Sequence, residues 1–166
     1  SSHVVFPGVG AFGAAMEKIK KKGLIDIINR VSDKGTPLLG ICLGMQLIFE
    51  KSYEFEENNG LGLISGEVKE IPKTDNSGDK LKIPHIGWNS LNQTNNEKDW
   101  SQTVLKENNP GDSFYFVHSY MAIPSSSSNL LASCNYGGHS IPAVVQKENI
   151  VGCQFHPEKS GKNGLK

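Results

Sequence analysis

A short apolar run, Val4-Val5-Phe6, opens the chain, and a second, Leu38 to Ile41, follows later. Between them Met16, Ile19, Ile25, Ile28 and Val31 recur at helical spacing. Ala14 to Lys22 and Leu24 to Ser32 are therefore predicted helices, parted at Gly23. Met45 to Glu50 has helical propensities and predicts another helix just past the second strand. The first third thus reads strand, helix, strand, helix, the order of a parallel α/β sheet.

Beyond it the pattern is mostly that of strands: Glu67 to Ile71, Phe114 to Val117, Leu130 to Asn135, Ala143 to Gln146 and Ile150 to Phe155. Tyr136-Gly137-Gly138, Lys147-Glu148-Asn149 and Ser125 to Ser128 are predicted turns, and Asp75-Asn76-Ser77-Gly78-Asp79 a hairpin tip. Ile83 to Ser90 reads as a compact loop or strand pair. Asn92 to Asp112 reads as a polar surface loop with one short helix at Thr103 to Lys106. The predicted fold class is α/β: an open, mostly parallel sheet flanked by helices, with a β-rich second half. No repeat or linker divides residues 1–166, so a single domain is expected. Starting inside a strand and ending on Ser160 to Lys166, the chain is expected to be a fragment truncated at both ends.

Composition narrows the function. Seventeen basic and seventeen acidic residues cancel, so the basic footprint of a nucleic-acid binder is missing. No apolar run approaches the ~20 residues that span a membrane, and with Ser1-Ser2-His3 running straight into the first strand no signal peptide is expected. Three cysteines, Cys42, Cys134 and Cys153, are odd in number and lack metal-ligand spacing. A reducing, cytoplasmic setting without a metal is expected. Lys20-Lys21-Lys22 is a solvated helix end.

Chemistry enters at Gly40-Ile41-Cys42-Leu43-Gly44. This is the cysteine form of a nucleophile elbow, a sharp strand-to-helix turn that pushes the nucleophile out above a sheet. A cysteine there also meets the positive end of a helix, which favours the thiolate. Taken alone, the stretch fits a buried structural cysteine between packing glycines equally well. His156 follows the last predicted strand and precedes Glu158 by two residues, a spacing that lets a carboxylate orient an imidazole. A surface His-Pro-Glu turn is the plainer alternative. An oxyanion would need N–H donors: the backbone of Leu43, and the loop Pro7 to Gly10 after the first strand. That loop alone could equally be a tight turn or a phosphate cradle, although no Gly-Lys-Ser/Thr follows it.

Pro7-Gly8-Val9-Gly10-Ala11-Phe12, Gly40 to Gln46 and Gln154-Phe155-His156-Pro157-Glu158-Lys159 together resemble the class I (triad) glutamine amidotransferase family. Pro84 to Asn89 and Tyr115 to Tyr120 are similar to its histidine-biosynthesis branch, glutaminase subunits paired as heterodimers with a (β/α) barrel cyclase. The resemblance covers nearly the whole chain; the family's first strand, the glycine-rich loop after it and the C-terminal helix have no counterpart here. It implies that Cys42 is the nucleophile, His156 the acid/base and Glu158 its orienting carboxylate. It further implies Val9, Gly10 and Leu43 around the oxyanion. Glutamine would be held by Gly8, Gln46, Glu54, Ser119 and Tyr120. Trp88 and Lys159, with His85, would face the partner; no cofactor is implied. Another ammonia acceptor, such as an amidinated surface sugar, a cysteine peptidase or hydrolase on a similar elbow, and a degenerate scaffold are the competing readings. His3, His139, Cys134 and Cys153 receive no role.

Overall fold

The chain runs β1 (Val4–Gly8), α1 (Phe12–Lys21), α2 (Ile25–Asp33), β2 (Leu38–Cys42), α3 (Leu43–Leu47), β3 (Phe49–Ser52), β4 (Asn58–Asn59), β5 (Ile64–Glu70), β6 (His85–Ser90), β7 (Asn92–Gln93), β8 (Ser113–His118), β9 (Tyr120–Pro124), β10 (Leu130–Tyr136), β11 (His139–Lys147), β12 (Ile150–Cys153) and α4 (Gly161–Gly164). These elements come from a computed structural model that describes residues 2–94 and 99–166. The central sheet has the order β1-β2-β12-β11-β10-β7. It is parallel around β2, which pairs with β1 and β12, and antiparallel from β12 outward. The short turns after β10 and β11 permit only hairpins, whereas the parallel pair β1–β2 needs the long crossover that α1 and α2 provide.

β2 is apolar throughout because both its faces are covered. Leu38 joins Phe12, Ile19, Ile28, Leu43 and Met45 in one core, while Leu39 and Ile41 pack against the other, built around Phe114, Phe116, Leu131 and Phe155. A second sheet, β4-β3-β5-β9, and the ribbon β6-β8 complete the layers.

Three glycines allow α3 to lie directly on the parallel strands. A Cβ on Gly40 would stand 2.7 Å from the Gly44 carbonyl oxygen, one on Gly152 2.7 Å from Met45 Cγ, and one on Gly44 would overlap the Phe6 carbonyl oxygen. Backbone thus meets backbone where side chains would normally intervene.

Several local expectations are corrected. The helix predicted through Glu50 ends at Leu47, because Phe49 is fully buried and paired with Ile64 in β3–β5. Tertiary pairing outweighs local propensity there. No helix forms at Thr103 to Lys106: the Thr103 hydroxyl donates to the Trp100 carbonyl and accepts from Leu105 N–H, turning the chain instead. Ile83 to Ser90 contributes one strand, paired in register with β8 and not with itself. β9 was not predicted, although it completes the second sheet against β5. Residues 95–98 of the polar loop lie outside the described residues. Among the described residues no helix is long and apolar enough to cross a membrane.

The glycine contacts set an order of damage. Gly44→Ala is expected to abolish folding, since only backbone could yield. Gly152→Ala meets a movable Met45 side chain and should cost about 1–3 kcal/mol. Denaturant unfolding of both variants checks this; a Gly44→Ala chain as stable as the parent refutes it.

Candidate active site

Cys42 ends β2 with φ 54° and ψ −111° and is at once the N-cap of α3. A non-glycine residue in that region stores roughly 1–3 kcal/mol of strain. The backbone turns here within one residue, between β2, which is held by ladders on both sides, and α3, which is seated on the glycines. The Gln154 side-chain amide lies 3.7 Å from the Cys42 sulfur, and the S–H faces the Val117 carbonyl at 4.0 Å.

The N-terminus of α3 favours the Cys42 thiolate through the Leu43 N–H, as expected, but that pull is outweighed. Burial pushes the thiol up, the Glu158 charge adds to this, and the Leu43 N–H, the Gln154 amide and Lys159 pull it back without prevailing.

His156 is buried, and its backbone N–H is anchored on the Tyr115 carbonyl. Its Nδ1 sits 2.7 Å from Glu158 Oε1. An ionised carboxylate can only accept, so Nδ1 carries the hydrogen and Nε2 is left for the cavity. Desolvation tends to raise the Glu158 carboxyl, but the His156 hydrogen bond, its own backbone, and the charges of His156 and Lys159 outweigh this and hold it below the ordinary range.

Cys42 and His156 open on one cavity of about 540 Å³, with Val9, Gly10, Leu43, Gln46, Glu54, Ser119 and Tyr120 also in its wall. Gly10 takes φ 99°, which glycine alone tolerates readily, and Val9 beside it is 82% exposed. Gln46 is buried and does not face solvent: its Nε2 donates to the Tyr120 carbonyl at 3.1 Å and to Gln154 Oε1 at 3.0 Å. Both its N–H groups are thereby engaged, and only its oxygen can meet a ligand. Glu54 Oε2 accepts the Phe12 N–H at 2.5 Å, tying the cavity wall to the start of α1.

Gly8 is absent from the lining. It pairs with Cys42 across β1–β2, and a Cβ there would stand 3.2 Å from Leu43 Cβ, so it packs against the elbow. Trp88 and Lys159 also lie outside. They flank one ring: Trp88 meets Tyr115 edge-on at 6.2 Å, and Lys159 Nζ is 6.0 Å from the same ring centre. Trp88 is 58% exposed, next to exposed Ile86 on the outer side of β6. His85 is not on that face. It is buried between the rings of Phe116 and Tyr136.

Sequence reasoning gave no role to Gln154 or His118. The extended alternation Gln154-Phe155-His156, with Phe155 in the far core, was the available signal for Gln154, since it sends the first and third to one side. His118 lines the cavity; its Nδ1 donates to the Tyr120 carbonyl at 2.8 Å and its Nε2 is 3.0 Å from His85 Nδ1. A carbonyl can only accept, which fixes His118 with hydrogen on Nδ1, makes His85 the donor between the rings, and lets Asn89 donate to His85 Nε2 at 3.4 Å. Among the described residues no cluster of His, Cys, Asp and Glu has the geometry to hold a metal ion.

A strained cysteine elbow, an adjacent His–Glu pair and a shared cavity at the carboxyl ends of parallel strands define the class. The chain belongs to the glutamine amidotransferase class I family, whose model matches residues 1–165. Relatives are named imidazole glycerol phosphate synthase subunit HisH. The HisH 1 of Legionella pneumophila (strain Lens) is 48% identical over 165 residues, covering 99% of this chain and 78% of its own. That of Lactococcus lactis is 50% identical over 163 residues, covering 98% and 75%, and that of Aquifex aeolicus 45% over 166, covering 98% and 73%. Among solved structures, a crystal structure of glutamine amidotransferase matches at TM-score 0.68 and 17% identity over 99% of this chain and 75% of that one. PurLQS from Thermotoga maritima matches at 0.60 and 19% over 97% and 76%. These two show the fold alone.

The buried histidines carry a pH consequence. Burial holds His85 and His118 down to about 4, helped at His118 by the charges of His85 and His156 and opposed by its bond to Tyr120. The unfolded chain takes up these protons near 6.5, so between about pH 6.5 and 4 it binds more protons than the folded one. Stability is then full above about pH 7 and falls on acidification, by up to about 1.4 kcal/mol per pH unit for one such group. Denaturant unfolding from pH 7 to 4.5 should show this slope, and His118→Gln should flatten it. Equal stability of the parent at pH 7 and 5 refutes it.

Proposed function

We propose that this chain hydrolyses glutamine to glutamate and ammonia. It does so as the glutaminase subunit of a heterodimer that makes imidazole glycerol phosphate and an aminoimidazole carboxamide ribotide in histidine biosynthesis. The carrying observation is that the Cys42 elbow and the His156–Glu158 pair open on one cavity. The names of the relatives support the pathway.

Glutamine lies with its amide carbon over Cys42. The thiol proton passes to His156 Nε2 as sulfur attacks, and the oxyanion of the tetrahedral intermediate takes N–H groups from Leu43 and the Val9–Gly10 segment. His156 returns the proton to nitrogen, the C–N bond breaks and ammonia departs, leaving a thioester. Water attacks the thioester, giving its proton to His156; sulfur leaves, taking that proton back from His156, and glutamate forms. Glu158 keeps Nδ1 protonated and the ring aimed throughout. Glu54, Ser119, Tyr120 and the oxygen of Gln46 hold the amino-acid end, with Gly8 keeping the elbow in place.

The partner is a (β/α) barrel cyclase that consumes the ammonia, docked on the face of Trp88, Ile86 and Lys159. A cytoplasmic site of action is supported by the three free cysteines.

Cys42→Ala should abolish glutamine hydrolysis. Glu158→Gln should lower it by about 10²–10⁴-fold, the range of a mispositioned general base. A glutamine-directed diazo-ketone should label Cys42. Hydrolysis should rise when the cyclase and its nucleotide substrate are added; indifference to that substrate removes the pathway assignment, and cleavage of peptides without diazo-ketone labelling removes the amidotransferase one.

A further inference from the structure

Gln154 is fully buried, at 0% exposure, in the wall behind the nucleophile. Nothing in the reaction just described uses it. Its amide touches two groups: Oε1 is 3.0 Å from Gln46 Nε2, and Nε2 is 3.7 Å from Cys42 Sγ.

The orientation of this amide follows from its surroundings. The Tyr120 carbonyl can only accept, so the Gln46 atom 3.1 Å from it must be the nitrogen. That nitrogen's second N–H then points at Gln154, whose facing atom must be the oxygen. The NH₂ group of Gln154 is therefore turned to the sulfur. His118 donates to the same Tyr120 carbonyl from the other side, and His85 and Asn89 extend the donor sequence in one sense. Reversal of any member would set acceptor against acceptor or donor against donor in a buried site.

We propose that Gln154 is a further catalytic residue: its side-chain amide donates a hydrogen bond to the Cys42 sulfur and stabilises the thiolate that attacks, with Gln46 and the Tyr120 carbonyl as its positioning groups. The inference rests on the reading of Cys42 as the nucleophile. A thiol sulfur is a weak acceptor and a thiolate a strong one, so this contact tightens as the proton leaves. The sulfur sits in a buried place that resists ionisation, beside the Glu158 charge. The Leu43 N–H is one compensating donor, and its place in the reaction is shared with the oxyanion. Gln154 is set behind the sulfur, with its oxygen tied to Gln46, and can stay on sulfur throughout.

The test is the rate of Cys42 alkylation by iodoacetamide against pH, read by mass spectrometry of the Cys42 peptide in the full chain, alone and with the cyclase. Gln154→Leu, which keeps bulk and removes the donor, should move the midpoint upward by about one pH unit and slow alkylation at pH 7 by roughly tenfold or more, the size of one hydrogen bond to a charged atom. The kcat for glutamine should fall by a similar factor, with KM changed far less. Gln154→Glu, placing a carboxylate at the sulfur, should be slower still. A folded Gln154→Leu chain with the parent's alkylation profile overturns the proposal. Should that variant not fold, NMR of the parent decides: the Gln154 side-chain amide protons should shift as Cys42 titrates, and protons that stay fixed overturn it equally. Alkylation needs no glutamine. A parent chain that fails to hydrolyse glutamine but shows the Gln154-dependent profile loses the proposed function and keeps the donor on sulfur. The opposite pair of results removes Gln154 and keeps the function.

Discussion

The close approach of α3 to the strands β1, β2 and β12 governs the rest of the molecule. Gly40, Gly44 and Gly152 clear the space, and the helix drops until the Gly44 backbone nearly touches the Phe6 carbonyl. With α3 that low, the chain leaving β2 has one residue in which to turn. Cys42 takes that turn at φ 54°. Its strained backbone is held from both sides, by the β1 and β12 ladders and by the buried Met45, Leu47 and Ile48 that follow. The strain is thus offset by packing outside the cavity.

The cavity is correspondingly a place of managed desolvation. Burial opposes the charged form at Cys42, His85 and His118 alike, while Glu158, mostly open to water, keeps its charge against the enclosed His156 ring. Neutral donors and acceptors fill the interior in a fixed order, from Asn89 through the two histidines to the Tyr120 carbonyl, and from Gln46 through Gln154 to sulfur. Such an array is stable only when every member is satisfied. It joins β6 and β8 to the elbow without a charge buried between them.

The same ribbon has two unlike sides. Inward, His85 and Phe116 belong to the polar array and the core; outward, Ile86 and Trp88 meet solvent beside Tyr115. Strand alternation puts these properties on adjacent residues. An outer apolar strip and an inner hydrogen-bonded wall are therefore separated by the thickness of one strand, and Val117, whose carbonyl faces Cys42, pairs with Ile86 of that strip.

Much of this was legible in the residue order. The strand–helix–strand–helix opening, both glycines flanking Cys42, and the His156–Glu158 spacing are local features, and local chemistry dictates them: apolar period, turn residues, a carboxylate two residues from an imidazole. What only the tertiary structure decided is non-local. Phe49 left its helix because a strand partner, Ile64, awaited it. Gly8 turned from the cavity to the elbow, and His85 from the surface to the core. The Gln154 amide acquired its direction from Tyr120 and Gln46, residues far away along the chain. An amide, an imidazole or a glycine has the same side chain wherever it stands, and its role follows from the donor, acceptor or wall that folding sets opposite it.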